Sequence, residues 1–552
     1  MSDDRSAVRF RLVAALVGVV GLAHAVLYDA PFEDAFITYR YSEHLAHGLG
    51  LTYNPGEVVE GFTSFGWTML LAGLAWVGLP IVFVSRALSL VAAMALLWCT
   101  SRFARLALRR ERHDLWTLAP ALLLAADGTW AFYAMTGMET TLFALLVACA
   151  GLVACRDDGA TTPAALASAR PLADAVRVAL LLAAAAIVRP EGAGYFVAIT
   201  AALLLDARGR RAAPAMLAAF VVVFVPVFAW RWHHFGWPAP NTYYAKASPS
   251  GAVFAAGASA VEAYFTAHLF WLVPVALAYV ARDASDERSR WRPSRAWRVS
   301  TFVLFAAVAN SVAVGEDTFL FHRFLLPAIP FGAVALTWAL AKLASRTHAG
   351  GTPVPVRAAL FGACAVVLAF GTFAVELFPL ATFTTARQRK SDYARFEDVR
   401  AIDDDYFLVG DWLRRAFPGS TTLATNAAGI IPFVSGFPTI DMLGLNDVHI
   451  AHLPIVLGRG TAGHEKHDAA YVLSRKPDVI LLGMPLLMKR PLLQGELETA
   501  VARWFPFLPG DRDLFTDPTF RRDYEPHGVR VTEHGYALLF VRIDSPAAAT
   551  FR

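Results

Sequence analysis

The chain has 552 residues, of which 56% are hydrophobic and 17% charged, with a formal net charge of +4. Soluble domains carry about 25% charged residues, so this composition, with a mean hydropathy of +0.46, excludes an ordinary soluble protein. The small net charge excludes the concentrated basic face of a nucleic-acid-binding protein. The four cysteines, Cys99, Cys149, Cys155 and Cys364, lie in or beside apolar runs, without metal-ligand spacing and without a disulfide framework in the hydrophilic segments.

The apolar residues fall in runs of roughly 17 to 25, the length that crosses about 30 Å of hydrocarbon as a helix. The first predicted span, 9–27, follows Arg5, Arg9 and Arg11. Ala23-His24-Ala25 near its end resembles a signal-peptide cleavage site, and with or without cleavage the next segment is exported. Further spans are predicted at 84–105, 115–131, 138–155, 172–188, 191–206, 212–230, 260–281, 299–314, 323–343 and 357–378, about eleven in all. Their direction follows from the placement of Arg and Lys in cytoplasmic loops. The run Thr63–Leu79 decides the register. If it lies in the interface instead of crossing, Arg102, Arg105, Arg109, Arg110 and Arg112 fall inside, as do Arg208, Arg210, Arg211 and the cluster from Arg282 to Arg298.

Residues 1–379 are thus expected to form a transmembrane domain, N-terminus inside, with external juxtamembrane helices in loop 28–83. Residues 380–552 are expected to form an exported α/β domain. That domain should hold a charged helix near Asp405–Arg415, a strand at Thr422–Thr425, a helix-to-strand switch over Tyr471–Gly483 and a closing strand at Tyr536–Ile543. The Gly/Pro/Thr-rich stretch Ser345–Val356 reads as a connector.

The dense polar motifs fall in the external loops. They are PFEDAFITYRYSEHLAHGLGLTYNPGEVVEGFTSFGW, YAMTGMETTLF with Glu139, the VRPEG turn with Arg189 and Glu191, RWHHFGWPAPNTYYAK with Asn241 and Lys246, and VGEDTFLFHRFLLP with Glu316, Asp317, His322 and Arg323. The cytoplasmic loops are arginine-rich and otherwise plain. Each motif has a structural reading as well. Glu33-Asp34 suits a helix N-cap, Arg189 and Arg323 suit snorkelling to the interface, Pro190 suits a hairpin turn, Glu139 suits a helix start, and Lys246 suits an interfacial anchor. Trp67, Trp232, Trp237, Tyr243 and Tyr244 suit an aromatic belt. Acids, bases and aromatics from five loops at one boundary favour a site at the height of a lipid head group.

The motifs EDAFITYRY and NPGEVVEGFTSF, with GMETTLF, RPEG, FGWPAPNTYYAK and RFLLPAIP, resemble the GT-C superfamily of membrane glycosyltransferases. Within it they are similar to the branch of the mycobacterial terminal arabinofuranosyltransferase. In the tail, AAGIIPFVSGFPTIDMLGLND and GHEKHDAAYVLSRKPD resemble the same group. The resemblance implies a GT-C-like fold and inverting transfer from a polyprenyl-monophosphate sugar donor to a glycan, glycolipid or protein acceptor, on the external face of a bacterial plasma membrane. The family's acidic pair begins with Asp; this chain has Glu33 followed by Asp34. The catalytic role is therefore carried onto Asp34, with Glu33 beside it.

The resemblance implies donor-phosphate contacts from Arg189, Lys246 and Arg323, with Arg40 a fourth. Glu60, Glu139, Glu191, Asn241, Asp317 and His322 are expected to touch substrate. No metal signature is present by spacing. A divalent cation is an open expectation from the superfamily, with His233-His234 and Glu139 or Asp317 as conceivable ligands. A helix beginning near Ala35 is expected to turn Phe36, Ile37, Tyr41 and Leu45 to the membrane and Arg40, Glu43, His44 and His47 to water. The rival functions are a transporter or flippase, which calls for intramembrane charge and broken helices, and a non-catalytic scaffold, which needs no converging acids and cations.

Overall fold

A computed structural model of the protein describes residues 2–110, 114–156, 171–246, 250–285, 294–315, 321–346, 354–377, 391–457, 463–484, 486–492 and 495–552. The first part is helical: α1 (Ser2–Leu27), α2 (Glu33–Ala46), α3 (Phe65–Trp76), α4 (Ile81–Ala107), α5 (Leu115–Ala125), α6 (Gly128–Met135), α7 (Thr140–Ala154), α8 (Pro171–Val188), α9 (Gly192–Leu204), α10 (Ala207–Phe235), α11 (Asn241–Lys246), α12 (Gly251–Ala267), α13 (Leu272–Ser285), α14 (Arg295–Val314), α15 (Ile329–Arg346) and α16 (Val354–Leu377). Among the described residues, the apolar stretches Ala7–Leu27, Ile81–Ala107, Ala207–Phe235 and Arg295–Val314 are each long enough to cross a bilayer. Each of the expected spans overlaps helical residues, but several of the helices are short. Thr140–Ala154 has 15 residues and Gly192–Leu204 has 13, about 22 and 20 Å at 1.5 Å per residue. Helix α3, in the run Thr63–Leu79, has 12 residues and is too short to cross.

Two of the expected spans are broken. Helices α5 and α6 meet at 67°, and α12 and α13 at 77°. The first break falls at Asp127, whose carboxylate accepts the Thr129 N–H and so caps α6. The second includes Leu269 at φ 52°, a left-handed conformation uncommon outside glycine. The apolar region is also less free of charge than the sequence suggests. Glu376 of α16 is fully buried and accepts from Tyr28 at 3.1 Å; His24 Nε2 lies 3.0 Å from it.

The C-terminal part begins with α17 (Asp392–Ala416), far longer than the predicted Asp405–Arg415. It is followed by β1 (Leu423–Thr425), α18 (Ile430–Ser435), β2 (Thr439–Asp441), a helix at Ala469–Ser474, β3 (Val479–Leu481), β4 (Tyr524–Arg530) and β5 (Tyr536–Arg542). The sheet order is β2-β1-β3-β5-β4. Strands β1, β2 and β3 run parallel, with Ala424 opposite Ile440 and Ile480; β5 is antiparallel to β3 and β4. Every residue of β1, β2 and β3 is buried, as expected for short parallel strands covered on both faces. One apolar core runs without interruption from the membrane helices into this domain. Tyr28 packs on Phe396, and Phe36 on Phe407 and Phe433.

Candidate active site

The first loop carries α2, which starts at Glu33, two residues before the predicted Ala35. Its N-cap is Phe32, with no side-chain cap bond, so neither acid caps the helix. The expected membrane-facing side does not form either. Ala35 through Ser42 are all buried, Arg40 among them, because the C-terminal domain covers one side of α2 and the NPGE segment another.

A cavity of about 390 Å³ lies where α2, the Gly61–Ser64 segment, the α8–α9 turn, α10, α11 and the Arg323–Phe324 segment meet. Asp34, Arg189, Glu191, Arg231, Lys246, Arg323 and Glu139 all line it. Phe224 and Phe228 of α10, with Ile37, Met138 and Val314, supply an apolar wall. Lys246 Nζ, at the end of α11, stands 4.0 Å from Asp34 Oδ2, and both side chains keep some exposure.

The cations differ in how they are held. Arg189 is buried between two carboxylates: Nη1 donates to Glu139 at 2.5 Å and Nη2 to Glu191 at 2.7 Å. Burial alone would raise the Glu191 carboxyl, but the Arg189 charge and hydrogen bonds outweigh it and hold Glu191 below its ordinary value. Arg231, near the end of α10, meets Glu60 through Nε at 2.6 Å and Nη2 at 2.8 Å, the two-point geometry that suits guanidinium and carboxylate. Glu60 does not line the cavity; it stands behind Arg231. Sequence reasoning passed over Arg231, although an arginine between Trp230 and Trp232 at the end of an apolar run was a visible signal.

Four predicted site residues are turned to other work. Arg40 is 3% exposed and spends its guanidinium on the carbonyls of Tyr53 (2.7 Å), Phe437 (2.8 Å) and Pro432, away from the cavity. Glu33 accepts the backbone N–H groups of Gly429 (2.6 Å) and Ile430 (2.7 Å). Burial pushes its carboxyl up to about 7, against those two N–H bonds, with the charges of Asp34 and Asp441 adding to the rise. Asn241 sends its amide to the carbonyls of Gly444 (2.9 Å), Leu445 (3.1 Å) and Asp447 (3.2 Å). His322 packs near Tyr264, 5.4 Å between ring centres, and burial with the neighbouring His268 and Arg395 charges brings it down to about 3.

Asp317 and Glu316 lie outside the described residues. His234 stacks on Trp230 at 4.9 Å, and neither His233 nor His234 lines the cavity. Among the described residues, no three His, Cys, Asp or Glu side chains gather as a metal site. One further acid, missed in the sequence run IDDD, sits behind the pair. Asp403 of α17 is 2% exposed and accepts from the Glu33 backbone; burial, with the Glu33 and Asp34 charges, lifts it well above the usual carboxylate range.

With this geometry in hand, comparison with solved structures decides the fold. The structure is similar to ArnT from Cupriavidus metallidurans in the apo state, at 14% identity and TM-score 0.54, covering 98% of each chain. It is also similar to the same protein bound to undecaprenyl phosphate, at 14% identity and TM-score 0.50, covering 97% of each. A third similarity is to the oligosaccharyltransferase AglB from Archaeoglobus fulgidus in complex with an inhibitory peptide and a dolichol-phosphate, at 11% identity and TM-score 0.54, covering 98% of this chain and 77% of that one. The chain has the GT-C fold. Residues 395–538 match a family described as "Domain of unknown function (DUF8728)". No curated protein matches the sequence. Within the GT-C frame, the cavity lies beside the first loop, and the C-terminal domain adjoins it through Leu445.

Proposed function

We propose that this chain is an inverting membrane glycosyltransferase that moves a sugar from a polyprenyl monophosphate to a hydroxyl of an envelope glycan, glycolipid or protein. One observation carries the reading: Asp34, Lys246, Arg323 and Arg231 face a single cavity that also has an aromatic, apolar wall. That combination suits a lipid phosphate, whose prenyl chain needs an apolar path and whose leaving oxygen needs fixed positive charge. The undecaprenyl phosphate and dolichol-phosphate held by ArnT and AglB support the same donor class. The motif resemblance adds the arabinofuranosyltransferase branch and an external site in a bacterial plasma membrane.

In this reading the acceptor hydroxyl oxygen attacks the anomeric carbon on the face opposite the phosphate. Asp34 takes the hydroxyl proton as that bond forms. The bond from the anomeric carbon to the phosphate oxygen breaks, and its electron pair stays on the lipid phosphate. Lys246 and Arg323 are the primary phosphate contacts, with Arg231 held for the same task by Glu60. Arg189 contributes less, because two carboxylates, Glu139 and Glu191, outweigh its charge, whereas Arg231 faces Glu60 alone. Glu191 and Glu139 also offer oxygens to sugar hydroxyls.

The transporter reading gains from one observation, the two broken helix pairs. The test that separates them is product formation. Purified protein in lipid, given synthetic polyprenyl-phosphate sugars and envelope extracts, should release polyprenyl phosphate and form a glycoside. Vectorial movement of the donor without glycoside formation would replace the enzyme with a flippase.

A further inference from the structure

Two side chains of α2 hold the C-terminal domain's helix α18 at both ends. At one end the Glu33 carboxylate accepts the N–H groups of Gly429 and Ile430 at 2.6 and 2.7 Å. At the other, Arg40 donates to Pro432 O and, at 2.8 Å, to Phe437 O. Positions 33 and 40 are two helical turns apart and so share a face. Phe36 lies between them and packs edge-on against Phe433, 5.3 Å between ring centres. The fit leaves no spare room: a Cβ on Gly429 would stand 2.0 Å from the Glu33 carbonyl oxygen. A second grip lies beside the cavity. Asn241 holds the 444–447 loop, Tyr41 donates to Asn446 Oδ1 at 3.2 Å, and Leu445 from that loop lines the cavity.

Burying a charged group is costly unless its hydrogen bonds are made. Glu33 takes its carboxylate partners, and Arg40 two of its carbonyls, from the C-terminal domain. Neither residue lines the cavity, yet both sit on the helix whose first turn carries Asp34. We propose that the domain over residues 395–538 is a positioning device: by gripping Glu33 and Arg40 it fixes the first turn of α2, and with it the reach of Asp34 into the cavity. Glu33 and Arg40 are then positioning residues, not a second catalytic acid and a phosphate ligand. The domain also contributes Leu445 to the cavity wall. This rests on the reading of Asp34 as the base.

The test uses full-length protein in lipid nanodiscs, with Glu57→Cys and Arg475→Cys added to a background lacking the native cysteines. Glu57 and Arg475 pair across the same junction at 2.7 Å and are both accessible, so a short bis-maleimide can join them. Glu33→Ala and Gly429→Ala are each placed in this background; the second leaves every titratable group in place. Misplacing a catalytic group by about 1 Å costs on the order of 10²-fold. Both variants should therefore lose turnover on that order, keep the donor KM, and recover most of the loss once cross-linked. Normal turnover in both uncross-linked variants, or a loss that cross-linking does not restore, would overturn the proposal. If the parent protein transfers no sugar, the enzymatic reading falls instead. The rate of cross-linking then decides the grip: slower in both variants supports it, unchanged refutes it.

Discussion

Glu33 makes the grip on the C-terminal domain pH-dependent, and the sign is calculable. Asp34 and Asp441 face it with negative charge, Asp403 lies beside it with its own carboxyl lifted well above the usual range, and Tyr53 and Tyr406 close the surroundings. Burial, with the charges of Asp34 and Asp441, carries the Glu33 carboxyl from 4.5 to about 7. A raised carboxyl binds its proton more tightly in the native state than in the unfolded chain. Its contribution is therefore full below pH 4.5 and is lost as pH rises through about 7. At about 1.4 kcal/mol per pH unit, the whole window is worth about 3 kcal/mol. Glu33→Gln removes the titration while keeping the shape, at the cost of one acceptor for two N–H groups, a penalty that does not change with pH. Thermal unfolding of both proteins, followed by tryptophan fluorescence from pH 5 to 8, reads the effect as a difference in slope, because the groups away from Glu33 titrate alike in both, while Asp403, which the Glu33 charge helps to lift, shifts with it. The parent should lose stability relative to Glu33→Gln as pH rises. Parallel pH profiles would refute the reasoning that the buried carboxyl carries this linkage.

Other expectations follow from the cavity. Arg323→Ala should weaken donor use by roughly 10- to 150-fold, the cost of about 1.5 to 3 kcal/mol for a charge-assisted hydrogen bond; an unchanged donor KM would remove Arg323 from the phosphate site. Arg189→Ala should act mainly on stability, since it strands Glu139 and Glu191; breaking such a buried pair costs about 3–5 kcal/mol, and a large fall in unfolding temperature checks it. Glu60→Gln should raise the donor KM by loosening Arg231, and Arg231→Lys should not rescue it, because an ammonium lacks the two-point fork. A cysteine at Arg475 should react with an impermeant maleimide on intact cells and one at Arg208 should not; the reverse pattern would invert the topology.

Much of the helical part was legible because hydrophobic runs report length directly. Four of the expected spans coincide with helices long enough to cross alone. The breaks at Asp127 and Leu269 were not legible. A cap inside an apolar run and one left-handed residue leave little trace in hydropathy. In the C-terminal part, β4 was missed because Pro526 and Gly528 argue against a strand; it survives as an edge strand, where proline is tolerated. The cavity's Asp34, Arg189, Lys246, Arg323, Glu139 and Glu191 were all named from motifs, because their polar character stands out against apolar flanks. Arg40, Glu33 and Asn241 stand out for the same reason, yet they bind backbone groups some 200 to 400 residues away. A motif shows that a polar residue has a partner; it does not say whether the partner is a substrate or the chain itself. Arg231 shows the converse, a cavity residue hidden in a helix end.

The central claim is that Asp34 takes the acceptor proton, and the most direct measurement is the turnover of Asp34→Asn beside its affinity for polyprenyl phosphate. The amide keeps the shape of the carboxylate and its place in the first turn of α2 but cannot accept the proton. Turnover should fall by about 10²-fold or more, while polyprenyl phosphate binding, carried by Lys246, Arg323 and Arg231, stays close to that of the parent. A folded Asp34→Asn protein that binds the lipid phosphate and still transfers sugar at the parent rate would contradict the assignment.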